Sequence, residues 1–359
     1  MSDDVYRKLA KLLDTLPNGF PATDSGLEIK ILEKIFTPEE AELFCDLRLS
    51  FETPIEIAQR TGRPLDQLDE MLPRMWEKGQ IEGAGLGPTR IFRMLPWVVG
   101  IWEMQVGRLD AELAQLGDEY YEHFGRQLFG QEPRVMRTIP IEQDATPTQQ
   151  ALSFDRVSGI IEASQSFAVA ECVCRKQKRL LDEGCDHPLE VCLGVAPEPN
   201  LFDDQPWGRP ISKQEAYAVL GKAEEAGLVH LTTNVGEGPS FICSCCGCCC
   251  VALKAITKLG LTEVINSDFY CEIDGDLCIS CGDCGNTICQ VNAIGEGEEA
   301  YRVDRRLCIG CGVCIDSCND MAMQLVRKPA AERVAPPADD DTWREERGRL
   351  RGVDFSDYK

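Results

Sequence analysis

Apolar residues recur at helical spacing through the first part of the chain. Leu27, Ile31 and Ile35 repeat every four residues, and this spacing places them on one face of a helix. Thr-Pro-Glu-Glu at 37–40 and Thr-Pro-Ile-Glu at 53–56 each combine a capping residue, a proline and first-turn acid. That combination marks the beginning of a helix. The pattern therefore predicts three consecutive helices.

A further helix and a hairpin complete the N-terminal unit. The segment 64–79 has helical periodicity, and Pro73 within it predicts a kink. The Gly-rich turn 83–90 leads into the strand-like segment 91–95. Helix, helix, turn, helix and hairpin in this order resemble a winged helix-turn-helix, so we expect a winged-helix-like domain over residues 1–97.

Charge argues against nucleic-acid binding by this unit. In DNA-binding winged helices the third helix enters the major groove. Here that helix carries four acidic residues, Asp66, Asp69, Glu70 and Glu77. Residues 1–97 hold 12 basic and 17 acidic residues, a net charge of −5. We predict that the unit docks protein, either a second copy of the chain in a homo-dimer or a partner, with the apolar side of a helix over 107–129 extending the surface.

Strand and helix patterns alternate in the middle of the chain. A helical connector is expected over 98–135. Beyond it, 137–141 and 166–171 have strand character, with a helix expected over 154–164 between them. This alternation predicts an α/β domain over residues 136–270.

Composition limits the class of protein. The 359 residues are 43% hydrophobic and 27% charged, with a net charge of −23. Such a chain can bury a core, and its charge disfavours binding to nucleic acid or an anionic membrane surface. No stretch approaches about 18 uninterrupted apolar residues, so no membrane insertion is expected. The first residues lack the apolar segment of a signal peptide, which predicts a cytoplasmic location.

Cysteine is the outlier in this composition. The chain has twenty, and nineteen of them lie within residues 172–318. In a reducing cytoplasm, thiols stay reduced or bind metal instead of forming disulfides. The number and the clustering of the cysteines therefore predict metal sites.

An internal repeat carries the most specific motif. Residues 273–294 and 303–323 each contain C-x2-C-x2-C followed by a distal cysteine. This spacing lets one loop hold three corners of a cubane [4Fe–4S] cluster while the other copy supplies the fourth thiolate. The repeat resembles bacterial two-cluster ferredoxins and implies such a domain, with a pseudo-two-fold repeat, over residues 271–328. The resemblance implies two ligand sets: Cys278, Cys281, Cys284 and Cys318, and Cys308, Cys311, Cys314 and Cys289.

The repeat departs from that family at two points. The first copy has four residues before its distal cysteine where three are usual, and Gln290 and Asn319 stand where proline usually follows. We expect the extra residue to alter the hydrogen bonds to sulfur, which help to set the reduction potential. Zinc is the alternative for any cysteine cluster, but the doubled motif differs from the paired C-x2-C pattern of zinc sites.

Ten further cysteines lie in the middle domain. Six of them form the run Cys-Ser-Cys-Cys-Gly-Cys-Cys-Cys at 243–250, and four lie upstream. The ten are Cys172, Cys174, Cys185, Cys192, Cys243, Cys245, Cys246, Cys248, Cys249 and Cys250. The run contains two interleaved frames: Cys243, Cys246 and Cys249, and Cys245 with Cys248. We expect the run and the upstream cysteines to hold one or two clusters, with zinc or a structural cluster as the alternative.

Several segments of the middle domain together resemble a family of multi-cluster ferredoxin-like proteins from strict anaerobes: 172–175, Cys185 with Pro188, Cys192, 227–230 and 242–250. The resemblance implies an α+β protein that transfers single electrons through [4Fe–4S] clusters, two in the ferredoxin domain and one or two in the middle domain. The implied partner is a flavin- or metal-containing oxidoreductase of anaerobic metabolism. The chain is then a subunit or carrier instead of a complete enzyme, with no catalytic residue of its own.

Two other functions remain open from the sequence. A redox-sensing DNA-binding regulator would use the clusters as its sensor, although the acidic third helix argues against it. A reductive activase of a corrinoid or metal enzyme is not distinguished from a plain carrier.

Some features have less definite interpretations. Arg175 lies in a basic run that is a solvated helix face, compensates the charge of a cluster, or docks an acidic partner. Cys45 is expected to be a buried apolar residue, and Cys271 has no partner at motif spacing. Residues 329–359 are charged and Pro-rich, so we expect a flexible tail.

Overall fold

Helices and strands both contribute to the structure, a computed structural model that describes residues 2–86, 89–141 and 157–359. The mixed α+β class predicted from the sequence is confirmed. Among the described residues, no helix combines the length and the apolar character needed to cross a membrane.

Five helices and a hairpin form the N-terminal part. The elements are α1 (Ser2–Thr15), α2 (Leu27–Ile35), α3 (Pro38–Phe44), α4 (Pro54–Thr61), α5 (Leu65–Glu77), β1 (Ile81–Leu86) and β2 (Thr89–Met94). The helix starts predicted at Thr37 and Thr53 are confirmed, and each threonine also forms a complete capping box with the glutamate three residues later. The strands β1 and β2 pair antiparallel. Residues 87 and 88 of the predicted Gly-rich turn lie outside the described residues.

A long helix joins the N-terminal part to the middle of the chain. A short turn, α6 (Trp102–Met104), precedes α7 (Ala111–Phe129). Residues on the apolar side of α7, including Tyr120 and Leu128, are buried within this chain. Tyr121 donates to the carbonyl of Val251 at 2.6 Å, and Gln177 donates to that of Ala114 at 2.9 Å. This side of α7 is therefore covered by other parts of the same chain. The prediction that it extends an external docking surface is wrong.

The middle domain contains a seven-stranded sheet in the order β6-β4-β5-β8-β7-β3-β9. Its strands are β3 (Met136–Ile139), β4 (Ser166–Glu171), β5 (Glu190–Ala196), β6 (Arg209–Ile211), β7 (Val229–Thr233), β8 (Phe241–Cys245) and β9 (Ile265–Asn266). All pairs are antiparallel except β3 with β9. The associated helices are α8 (Val157–Ala163), α9 (Val173–Leu180), α10 (Lys213–Glu225) and α11 (Val251–Thr257). The predicted helix over 154–164 thus appears as α8, and residues 154–156 lie outside the described part.

The repeat near the C-terminal end of the cysteine-rich region forms two small sheets. The strands are β10 (Phe269–Ile273), β11 (Ile294–Gly295), β12 (Arg302–Val303) and β13 (Met323–Arg327), and a single turn of helix, α12 (Val313–Asp316), lies in the second copy. Strand β10 pairs with β13 and β11 with β12, both antiparallel. Because β10 begins at Phe269, the predicted domain boundary at residue 271 falls inside a strand.

The segment expected to be a flexible tail differs from that prediction. Residues Asp340–Arg351 form α13, which begins with a side-chain cap from Asp339 and ends at Gly352 with left-handed backbone. Trp343 and Arg347 are buried. The guanidinium of Arg347 donates to backbone carbonyls near the C-terminal ends of α1 and α7, those of Pro17, Leu128, Gln131 and Pro133. The charged composition predicted disorder, but these buried contacts hold the segment on the protein.

Candidate metal centres

Two cavities in the repeat are lined by the predicted cysteines. The outer cavity is bordered by Cys278, Cys281, Cys284 and Cys318. Three of these come from the first copy and one from the second, which is the set that the resemblance implied. Cys281 is exposed and the other three are half-buried. We call this group the outer site.

The second cavity lies deeper and is smaller. It is lined by Cys289, Cys308, Cys311 and Cys314, the other implied set, and also by Cys271. We call this group the inner site. The backbone N–H of Cys271 donates to the Sγ of Cys308 at 3.4 Å. Burial raises the pKa of the Cys308 thiol, and the adjoining Cys271 thiol raises that of Cys314.

Four cysteines of the middle domain converge on one point. The Sγ atoms of Cys185, Cys246, Cys248 and Cys249 all lie within 4.8 Å of one another. We call this group the four-cysteine site. Cys185 comes from the loop between α9 and β5, and the others come from the turn between β8 and α11. A soft thiolate set of this kind can bind a metal ion.

The other six cysteines of the middle domain form a second neighbourhood, the six-cysteine site. Its members are Cys172, Cys174, Cys192, Cys243, Cys245 and Cys250. Hydrogen bonds from the thiols of Cys192 and Cys245 lower the pKa of Cys243, and one from Cys174 lowers that of Cys172. Cys172 and Cys250 are the N-cap residues of α9 and α11, so the two helix starts meet here.

The structure divides the cysteine run differently from the two predicted frames. Cys243 and Cys245 are two positions apart in β8 and therefore lie on the same face of the strand, where they belong to the six-cysteine site. Cys246 and Cys249 lie beyond the end of the strand and turn to the four-cysteine site with Cys248. The predicted frame of Cys243, Cys246 and Cys249 is therefore divided between the two sites, because the strand ends between Cys243 and Cys246.

Arg175 lies between these two groups. It is fully buried, and it donates to the carbonyl of Ser244 at 3.1 Å, to the carbonyl of Pro188, and to the Sγ of Cys246 at 3.5 Å. No carboxylate among the described residues pairs with it. A buried cation without an anionic partner is costly, so the thiolates of the two groups are its electrostatic partners.

The charge on Arg175 favours the thiolate form of neighbouring cysteines. A hydrogen bond from Cys249 is the main cause that lowers the pKa of Cys246, to about 4, and the Arg175 guanidinium adds to it against the effect of burial. Arg175 also contributes to the lowered pKa of Cys172 and of Cys243. One guanidinium therefore stabilises the ligand form of cysteines at both sites.

Two cysteines lie apart from the predicted ligand sets. Cys45 is buried at the end of α3, where burial raises the pKa of its thiol to about 11, in agreement with an apolar role. Cys271 borders the inner site, and the sequence did not predict this. The signal that could have shown it is the antiparallel pairing of β10 with β13, which returns Cys271 to the second copy.

The chain matches no protein-family model, no curated protein and no solved structure. Its class is therefore defined by its own chemistry. All twenty cysteines lie in the described ranges and are free, and the four-cysteine site can bind a metal. These features are consistent with an iron–sulfur protein.

Proposed function

We propose that this chain is an electron-transfer iron–sulfur protein, a cytoplasmic subunit or carrier of anaerobic metabolism. The observation that carries the proposal is the pair of cavities, each lined by three motif cysteines of one copy of the repeat and the distal cysteine of the other. Thiolates in sets of four are the ligands of [4Fe–4S] clusters, which supply one-electron chemistry when bound. The six-cysteine site contains enough thiols for a third cluster.

The surroundings of the outer site support exchange of electrons with a partner protein. Ile279 lines it and is 66% exposed. Leu277 and Met321 adjoin its lining residues Cys278 and Ala322 in the chain and are 50% and 82% exposed. The chain has no Lys or Arg between 274 and 301, and the exposed residues of that segment include six acids: Asp274, Asp276, Asp283, Glu296, Glu298 and Glu299. An apolar centre with an acidic rim favours a partner whose surface is apolar and basic. In this proposal the partner is the flavin- or metal-containing oxidoreductase that the sequence resemblance implied.

The inner site faces the middle domain. The backbone N–H of Ile141 donates to the carbonyl of Cys311 at 3.0 Å. Gln290, next to the ligand Cys289, accepts from the N–H of Gly247 at 2.7 Å. These contacts support an order in which electrons pass from the outer site to the inner site and then into the middle domain, where the six-cysteine site is the proposed acceptor.

In this proposal the N-terminal part, residues 1–97, is a winged-helix-like unit that contacts protein. The acids Asp66, Asp69, Glu70 and Glu77 of α5 are all exposed, so this helix presents negative charge to solvent. Phosphate contacts supply nearly all non-specific DNA binding, and an acidic helix repels them. The full chain should accordingly fail to bind duplex DNA at low salt.

The test is the metal content and reduction behaviour of anaerobically prepared protein. We expect iron and sulfide in equal amounts and reversible one-electron signals by electron paramagnetic resonance. Cys278→Ser should remove the signal of the outer site, Cys308→Ser that of the inner site, and Cys45→Ser neither. Protein that binds no iron, or that loses no signal in the two ligand variants, would refute the proposal.

Asp283→Lys tests the partner surface. Electron exchange with a basic redox protein should slow in this variant and lose much of its salt dependence, because one attractive charge becomes repulsive. Glu225→Lys changes the same charge on an exposed residue of α10 and should have little effect.

A further inference from the structure

The sulfur atoms of the four-cysteine site are unusually close together. The Sγ of Cys185 lies 3.9 Å from that of Cys246 and 3.7 Å from that of Cys249, and Cys248 and Cys249 are separated by 3.7 Å. The four atoms together fit within 4.8 Å. Such spacing limits what they can enclose.

The spacing matches a single ion at the centre of a tetrahedron. Four thiolates at about 2.3 Å from one zinc ion stand about 3.8 Å apart, since a tetrahedral edge is about 1.6 times the central bond. In a cubane each thiolate binds a different iron, so the sulfurs of the four ligands stand further apart. We propose that Cys185, Cys246, Cys248 and Cys249 hold one structural zinc ion, and that this site is not an iron–sulfur cluster.

The same protein provides the contrast. The cysteines of the outer and inner sites line two open cavities instead of converging on one point. In the part of the chain that the structure describes, no other group of Cys, His, Asp or Glu brings at least three ligand atoms within 4.8 Å. The four-cysteine site thus differs in kind from the sites proposed for clusters.

Zinc fits the chemistry and the position of the site. A closed tetrahedral set of four thiolates is typical of structural zinc, and zinc binds such ligands more tightly than ferrous iron. Four thiolates around a dication leave an excess of two negative charges, and Arg175, whose guanidinium lies 3.5 Å from the Sγ of Cys246, offsets one of them. The ion would fasten the loop after α9 to the turn after β8, and Gly247 in that turn contacts the inner-site segment.

This inference is independent of the proposed electron transfer, and the two fail in different ways. The full chain is prepared anaerobically with both iron and zinc present, and each metal is counted. We expect about one zinc per chain beside the iron. Cys185→Ser should lower the zinc content at least tenfold and leave the iron unchanged, whereas Cys278→Ser should lower the iron and retain the zinc.

Cys248→Ser provides a second variant, because Cys248 is exposed and its loss should be tolerated if Cys185→Ser does not fold. Replacement of zinc by cobalt should give the visible bands of tetrahedral cobalt thiolate, and these should disappear in Cys248→Ser. Loss of iron in either variant, a single iron in place of zinc, or a parent protein without zinc would overturn the inference. A parent with zinc but without iron would instead refute the proposed electron transfer.

Discussion

The backbone N–H of Gly247 donates to the Oε1 of Gln290 at 2.7 Å, which joins the turn of the four-cysteine site to the residue after Cys289. A β-carbon on Gly247 would stand 2.3 Å from the carbonyl oxygen of Gln290, so only glycine permits this approach. The contact is the closest connection described here between the middle domain and the inner site.

Gly247→Ala should separate these two segments. We expect a loss of about 1–3 kcal/mol in the free energy of unfolding, because backbone must move to admit the methyl group. Electron equilibration between the inner and the six-cysteine sites should also slow, measured by rapid mixing with a reductant. Gly221→Ala in α10 is the control, since a β-carbon there meets no atom within 4 Å. Equal free energies of unfolding for Gly247→Ala and Gly221→Ala would show that the contact between Gly247 and Gln290 tolerates a β-carbon.

Arg175→Met should lower the reduction potential of the six-cysteine site. Loss of the buried positive charge disfavours the more negative reduced state. At fixed ambient potential, the reduced-to-oxidised ratio should fall at least tenfold, about 59 mV for a one-electron couple. Arg175→Lys should retain most of the parent value, and Lys222→Met, which alters an exposed residue, should retain all of it. The reduction potential of the six-cysteine site is measured by redox titration. An unchanged potential in Arg175→Met would show that Arg175 does not compensate the charge of this site.

Glu40 gives the N-terminal part a stability that depends on pH. Burial favours its neutral form, but hydrogen bonds from Lys78, Thr37 and Gln80 outweigh that effect and lower its pKa. The interaction is therefore complete above the ordinary glutamate pKa, about 4.3, and is lost as the pH falls through the lower folded value.

Glu40→Gln should accordingly cost about 1–3 kcal/mol at neutral pH, where it removes charge-assisted hydrogen bonds. The difference from the parent in the free energy of unfolding should shrink on acidification, as urea titrations at several pH values would show. Glu42→Gln changes an exposed residue of the same helix and should leave stability unchanged. A difference that is constant down to low pH would contradict the assignment.

Arg347→Met tests whether α13 is part of the folded protein. The variant leaves four backbone carbonyls without their donor, and each buried unsatisfied group costs about 1–3 kcal/mol. We expect a lower melting temperature and faster proteolysis between residues 329 and 359. The exposed Arg349 of the same helix provides the matched control, Arg349→Met. Identical proteolysis of the two variants would return this segment to the flexible tail that its composition suggested.

Local signals in the sequence predicted much of the fold. Thr37 and Thr53 were recognised as helix starts because capping depends on residues within one turn. The segment 329–359 was misjudged because composition reports average solubility, whereas order there depends on two buried side chains, Trp343 and Arg347. Asp339 and Gly352, which cap α13 at its two ends, were the local signal that could have corrected the prediction.

The cysteine sites were predictable only in part. Spacing grouped Cys278, Cys281 and Cys284 because one short loop presents them together. In the run 243–250, spacing alone was misleading, since β8 ends at Cys245 and the chain changes direction there. The burial of Arg175 could not be predicted from the sequence, because a basic helix face has the same residue pattern whether it faces solvent or buried thiolates. Tertiary contacts decide between the two.

Helix α13, which is synthesised near the end of the chain, forms hydrogen bonds with residues that are synthesised near its beginning. Arg351 binds the carbonyl of Leu16 and the carboxylate of Asp14, and Arg347 binds the carbonyl of Pro17. The ribosome adds Arg347 and Arg351 only after all twenty cysteines have been translated. A nascent chain interrupted between residues 318 and 347 would therefore carry every thiol, while the carbonyls after its first helix still lacked these hydrogen-bond donors.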